Sequence, residues 1–133
     1  MRKVFLDTNI VVDLLEKREE FYRDAINIFQ LGLNGILKLY VSPITFATAS
    51  YLLRKQPNVN ELLNNLRLLV DISTMDRVVV DDALASCFLD KEDALQYFSA
   101  IKEGVSCIVT RNEKDFNASE IPVFTPQDFL DTI

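Results

Sequence analysis

Short apolar runs rich in β-branched and aromatic residues alternate along the chain with longer stretches whose apolar positions recur three and four residues apart. That alternation is the pattern of βα units around a parallel sheet. Five strands are expected: Lys3 to Leu6, Leu37 to Val41, Val78 to Val80, Cys107 to Val109, and the pair Val123-Phe124. Asp7-Thr8-Asn9 follows the first run and can cap a helix over about Ile10 to Glu16. A second helix, about Glu20 to Leu33, carries Ala25, Ile28, Phe29 and Leu33 on one face, with Gly32 and Gly35 ending it. Ser42-Pro43 opens a third, running to about Lys55, and Gln56-Pro57-Asn58 breaks it. Asn60 to Val70 places Leu62, Leu63 and Leu66 on a buried side. Asp81-Asp82 start a short helix, and a longer one after Asp90 carries Ala94, Leu95, Phe98 and Ile101 before Gly104. Pro126 starts a terminal helix. No internal repeat, low-complexity tract or linker interrupts the 133 residues, so a single domain over 1–133 is expected.

Composition narrows the function. Apolar residues make up 49% and charged residues 26%, as in ordinary globular proteins. No apolar run approaches the roughly 20 residues that span a bilayer, and Met-Arg-Lys-Val-Phe-Leu-Asp reaches an acid before a signal-peptide core develops. A soluble, unexported, cytoplasmic protein is expected. Cys87 and Cys107 both lie in apolar stretches and read as buried, reduced thiols. The chain has no histidine, which removes Ser-His-Asp and Cys-His nucleophiles, histidine general bases and histidine-ligated zinc together. Three glycines build neither a phosphate-cradling loop nor a dinucleotide fingerprint. A net charge of −6 argues against a broad basic surface for nucleic acid, though not against a local basic rim.

Any catalysis must therefore run on carboxylates, and their positions carry the information. Ligands of open parallel sheets bind at the carboxyl ends of strands, near the point where strand order reverses. Asp7 follows the first strand, Asn112 and Asp115 follow the fourth, and Asp90, Glu92 and Asp93 begin the helix before it. If the first and fourth strands are neighbours, these side chains converge. Clustered carboxylates raise one another's pKa, and a divalent cation removes the conflict. An all-oxygen site suits Mg²⁺ or Mn²⁺, which can orient a phosphodiester and lower the pKa of an attacking water. Singly, each acid also has a plain structural reading: Asp7, Asp81 and Asp82 as helix caps, Asp90, Glu92 and Asp93 as complements to a helix dipole, Asp115 as a solvated loop residue.

Four blocks in order resemble the PIN-domain family, including the toxins of VapBC-type toxin–antitoxin pairs. They are Phe5-Leu6-Asp7-Thr8-Asn9-Ile10 with Asp13 downstream, Ser42-x-x-Thr45 leading to Tyr51, Asp90-x-x-Asp93-Ala94 leading to Ala100, and Val109-Thr110-x-Asn112-x-x-Asp115-Phe116. Ile121-Pro122-Val123 and Thr125-Pro126-x-x-Phe129 resemble the family's closing strand and helix. The resemblance implies a three-layer α/β/α fold with a central parallel sheet of four to five strands, and metal-dependent hydrolysis of RNA. It implies Asp7 and Asp93 as principal metal ligands, Asp90 as a supporting acid, Thr8 holding Asp7 or a water, and Asn112 or Asp115 completing the site. It further implies an antitoxin partner and a homodimer. One departure is plain: where the family usually carries a Glu in the helix after strand two, spacing places Thr48, and Asn112 stands where many members have Asp. A domain that binds RNA or protein without cutting is the alternative, and a receiver-like phosphoacceptor domain lacks its strand-end lysine here. Arg54, Lys55, Arg111 and Lys114 are the candidate phosphate contacts, with Arg111 and Lys114 flanking the expected site.

Overall fold

A computed structural model describes all residues, 1–133. In chain order the elements are β1 (Arg2–Leu6), α1 (Thr8–Leu15), α2 (Tyr22–Leu33), β2 (Leu37–Val41), α3 (Pro43–Leu52), α4 (Val59–Leu69), β3 (Asp71–Ile72), α5 (Arg77–Ala85), α6 (Lys91–Lys102), β4 (Cys107–Val109), a 3₁₀ turn (Glu113–Phe116), β5 (Val123–Phe124) and α7 (Pro126–Leu130). The five strands pair in the order β3-β2-β1-β4-β5, and every pairing is parallel.

Val4 to Leu6 of β1, Leu39 to Val41 of β2 and Cys107 to Val109 of β4 are continuously apolar because both faces of the sheet are covered there. Val4 and Leu6 of β1 join Leu39 and Val41 of β2 and Cys107 and Val109 of β4 in one buried cluster with residues of α1, α2, α4 and α7. Phe5, Tyr40 and Ile108, the alternate positions, face a second cluster with Ala83 of α5 and Ala94, Tyr97 and Ala100 of α6. The result is three layers, helix on sheet on helix. β1 pairs with β2 on one side and β4 on the other, so strand order reverses between β1 and β4. That switch point is where the carboxyl ends of the strands leave a crevice.

The third strand departs from the sequence reading. Val78 to Val80 lies inside α5, and the strand is Asp71–Ile72, paired with β2 through Tyr40↔Asp71 and Val41↔Ile72. Three consecutive valines favour a strand by propensity, but Asp76 caps a helix there by accepting from the Val79 amide at 3.0 Å. Val79 and Ala83, four residues apart, are then buried together while Val78 and Val80 face outward. Asp81 and Asp82 accordingly sit exposed within α5 and cap nothing.

Gly32 lies inside α2 and does not end it; a Cβ there would come within 2.7 Å of Leu39 Cδ1, so the glycine lets α2 approach β2 closely. Gly35, at φ +75°, makes the left-handed turn into β2. Of the two cysteines Cys107 is buried and Cys87 is exposed, because the chain turns inward only at Phe88 after α5 ends. No helix is long and apolar enough to cross a membrane.

Candidate active site

β1 ends at Leu6 and α1 starts at Thr8, which leaves Asp7 as an extended N-cap at the switch point. The capping reading of this residue holds. Its Oδ1 accepts from the Thr8 amide at 2.7 Å and from Gln96 Nε2 at 2.8 Å. Its Oδ2 accepts from the Thr110 hydroxyl at 2.7 Å and from Asn9 Nδ2 at 3.3 Å. Asp7 is only 7% exposed. Burial pushes its pKa up, and the hydrogen bonds from Thr110, Thr8 and Gln96 pull it back while the charge of Asp115 adds to the rise.

Asp93, in the first turn of α6, is half-buried and its carboxyl is pushed up to about 7. Burial is the largest cause, followed by the charges of Asp90, Asp7, Asp115 and Glu92. Asp90 caps α6, its Oδ1 accepting from the amides of Glu92 at 2.8 Å and Asp93 at 3.2 Å. Asp115 lies on the 3₁₀ turn after β4. Residues 7, 90, 93 and 115 thus share one electrostatic field, from three separate places in the chain. Asp90, Asp93 and Asp115 also line a cavity of about 270 Å³ with Lys114 and, on its apolar side, Phe88.

Other expected site residues fall differently. Asn112 is exposed; its amide donates to the Thr110 hydroxyl at 3.1 Å and its side chain bonds to none of the acids. The Thr8 hydroxyl meets Thr45 Oγ1 at 2.8 Å and accepts from Gln96 at 3.3 Å, so Thr8 holds Asp7 through its backbone and not through its side chain. Thr48 lies half-buried on α3, one turn beyond Thr45 and on the same side of the helix.

Among the expected phosphate contacts, Arg111 is sequestered: it grips buried Asp13 at 2.7 and 3.3 Å and stacks on Phe21 at 4.0 Å. Arg54 stacks on Tyr51 at 4.0 Å and donates to its carbonyl. Lys55 is exposed on the loop after α3. Only Lys114 of the four stands at the acidic cavity.

Three buried polar residues that sequence reasoning did not single out as site residues complete the arrangement: Gln96, Thr110 and Ser42. Gln96 had a signal, since Asp93, Gln96 and Ser99 recur every third residue through an otherwise apolar helix face. Thr110 had one as well, following β4 as Asp7 follows β1.

The donor chemistry fits a hard divalent cation, being all oxygen with uncompensated like charge. It does not form a dry cage: no group of three or more acidic or thiol side chains is arranged to hold one ion. Four donors already occupy the acceptor positions of Asp7. A site of this kind suits an ion that keeps several waters and takes one or two carboxylates directly, as Mg²⁺ does.

Comparison with known proteins agrees with this geometry. A family profile described as PIN domain matches residues 3–114. The "Ribonuclease VapC1" of Aquifex aeolicus is 28% identical over 140 residues, covering 97% of this chain and 94% of that protein. Among solved structures, VapBC2 from Rickettsia felis bound to a DNA fragment from their promoter superposes with a TM-score of 0.67 at 20% identity, over 92% of this chain and 96% of that one. A toxin–antitoxin complex from Klebsiella pneumoniae gives 0.66 at 24% identity, over 92% and 97%. The match over most of the chain, joined to a parallel sheet with acids gathered at its switch point, places the protein in the PIN-domain family.

Proposed function

We propose that the chain acts as one domain, residues 1–133, and is a Mg²⁺- or Mn²⁺-dependent endoribonuclease working in the cytoplasm as the toxin of a toxin–antitoxin pair. The observation that carries this reading is the convergence of Asp7, Asp90, Asp93 and Asp115, whose charges add to burial in raising Asp93 to about 7. Asp93 and Asp90 keep carboxylate oxygens free of protein donors to hold the ion, with Asp7 contributing its charge behind them. A divalent cation bound there supplies charge neutralisation at a phosphodiester and a lowered pKa for the attacking water. Lys114, across the cavity, attracts the substrate phosphate. Asp115, on the facing turn, can take the proton of the attacking water at its carboxylate. Asn112, exposed beside it, offers its amide to the RNA backbone.

The Klebsiella pneumoniae neighbour is a toxin–antitoxin complex, and an antitoxin is the partner we infer here. A basic side chain inserted among these acids would neutralise them and displace the cation. A second copy of the chain is the occupant we infer for apolar side chains left exposed on α4 and α5, Leu68, Val78, Val80 and Leu84.

The test is cleavage of a structured RNA by the purified chain with Mn²⁺ and with EDTA. Asp7→Asn and Asp93→Asn are each expected to lower the rate by about a hundredfold or more while circular dichroism stays native. Cleavage that survives both substitutions would overturn the proposal. Thr48 and the missing cage favour a second reading, a PIN domain that binds RNA without cutting it. Retained RNA binding with no Mn²⁺ uptake by calorimetry would decide for it.

A further inference from the structure

Gln96 is 1% exposed on α6, and a position so deep is ordinarily apolar. A buried amide must have all its polar atoms matched, and those of Gln96 are matched only by residues at the strand ends. Nε2 donates to Asp7 Oδ1 at 2.8 Å and to Thr8 Oγ1 at 3.3 Å, and Oε1 accepts from Ser42 Oγ at 2.6 Å. Asp7, already taking the Thr8 amide on the same oxygen, is an acceptor, so the NH₂ end of the glutamine must face it. Oε1 is then turned to Ser42, whose hydroxyl must donate. Ser42 occupies the N-cap of α3 yet makes no side-chain cap bond there; its hydroxyl is committed to Gln96 instead.

We propose that Gln96 is a positioning residue for the Asp7 carboxylate, aimed by Ser42, so that a relay from the end of β2 through α6 to the end of β1 sets the geometry with which the site takes a divalent cation. This rests on Asp7 belonging to a metal site. The relay explains why an amide is kept where methionine would fill the same volume. It also reaches Asp7 from outside the first βα unit, so the carboxylate is fixed from α6 as well as from its own helix.

The experiment measures Mn²⁺ affinity by titration calorimetry at fixed neutral pH for the wild-type chain, Gln96→Met and Ser42→Ala, beside RNA cleavage as a function of Mn²⁺. Losing a hydrogen bond to a charged group should weaken Mn²⁺ binding about tenfold in Gln96→Met, and freeing the amide to flip should weaken it about threefold in Ser42→Ala. The half-saturating Mn²⁺ concentration for cleavage should rise by the same factors, with kcat at saturating Mn²⁺ falling far less. RNA affinity in EDTA should not move. A folded Gln96→Met chain with wild-type Mn²⁺ affinity would overturn the proposal; should that variant not fold, an unchanged affinity in Ser42→Ala does so. If the wild-type chain binds Mn²⁺ but does not cut RNA, the nuclease reading fails while the affinity ratios still decide Gln96. A wild-type chain that takes up no Mn²⁺ overturns both.

Discussion

Asp93 carries a stability cost that depends on pH, and its sign follows from the pKa. Its carboxyl sits at about 7 in the fold against an ordinary 3.8, so between those values the folded chain holds a proton that the unfolded chain has lost. Stability of the metal-free protein therefore falls as pH rises through that window and stays low above it. Asp93→Asn removes the titrating group, and its metal-free melting temperature should exceed wild type at pH 8 while matching it near pH 4. Thermal melts in EDTA across that range check this; identical pH profiles would refute it. The same carboxyl must lose its proton to hold a cation, so the thermal shift given by Mn²⁺ should shrink as pH drops below about 7. At Thr48, one turn from Thr45 on the same side of α3, a carboxylate would add a further oxygen ligand. Thr48→Glu should tighten Mn²⁺ binding, read by calorimetry, and an unchanged affinity would remove this position from the metal site.

Elements fix these residues through a few long-range ties. Asp13, 1% exposed on α1, holds Arg111 after β4 in a two-bond ion pair, and Arg111's amide leans on Asn9 Oδ1 at 3.5 Å. Burial pushes the Asp13 carboxyl up, and its bonds to Arg111 pull it back. This pair ties the strand-four end of the site to the helix that follows strand one. Asp13→Ala leaves the Arg111 guanidinium, only 23% exposed, without its carboxylate, and should destabilise the fold by about 2–4 kcal/mol, measured by urea unfolding. A loss under about 0.5 kcal/mol would show the pair to be dispensable. On the other face, Asp76→Ala should lower the melting temperature by a few degrees through loss of the α5 cap, without altering RNA cleavage.

For the whole molecule, charge decides how substrate is approached. The chain carries a net charge of −6, and one lysine of the four expected cations stands at the acids. RNA affinity should therefore show a shallow salt slope, about −0.7 for each phosphate contact made, and Lys114→Ala should flatten it by about that amount. Arg111→Ala should leave the slope alone and act on stability. An equal change of slope in both variants would contradict the sequestration of Arg111 by Asp13 and Phe21.

The alternation of strands and helices, and the acids standing at their ends, can be read from residue order alone. Strands β1, β2, β4 and β5 were legible because buried parallel strands are short, apolar and bounded by turns, and α2, α4 and α6 because their buried faces recur with helical spacing. Asp7 and Asp93 stood out because the ends of such elements are where a parallel sheet binds ligands. The β1–β4 adjacency that brings them together is a matter of strand order, which no local pattern encodes. Valines 78 to 80 misled for a related reason: β-branched propensity is weak, and a cap at Asp76 with two burial contacts across the helix outweighed it. Gln96, Ser42 and the Asp13–Arg111 pair were decided only in three dimensions. These buried polar side chains are satisfied by partners from distant parts of the chain, 54 to 98 residues away.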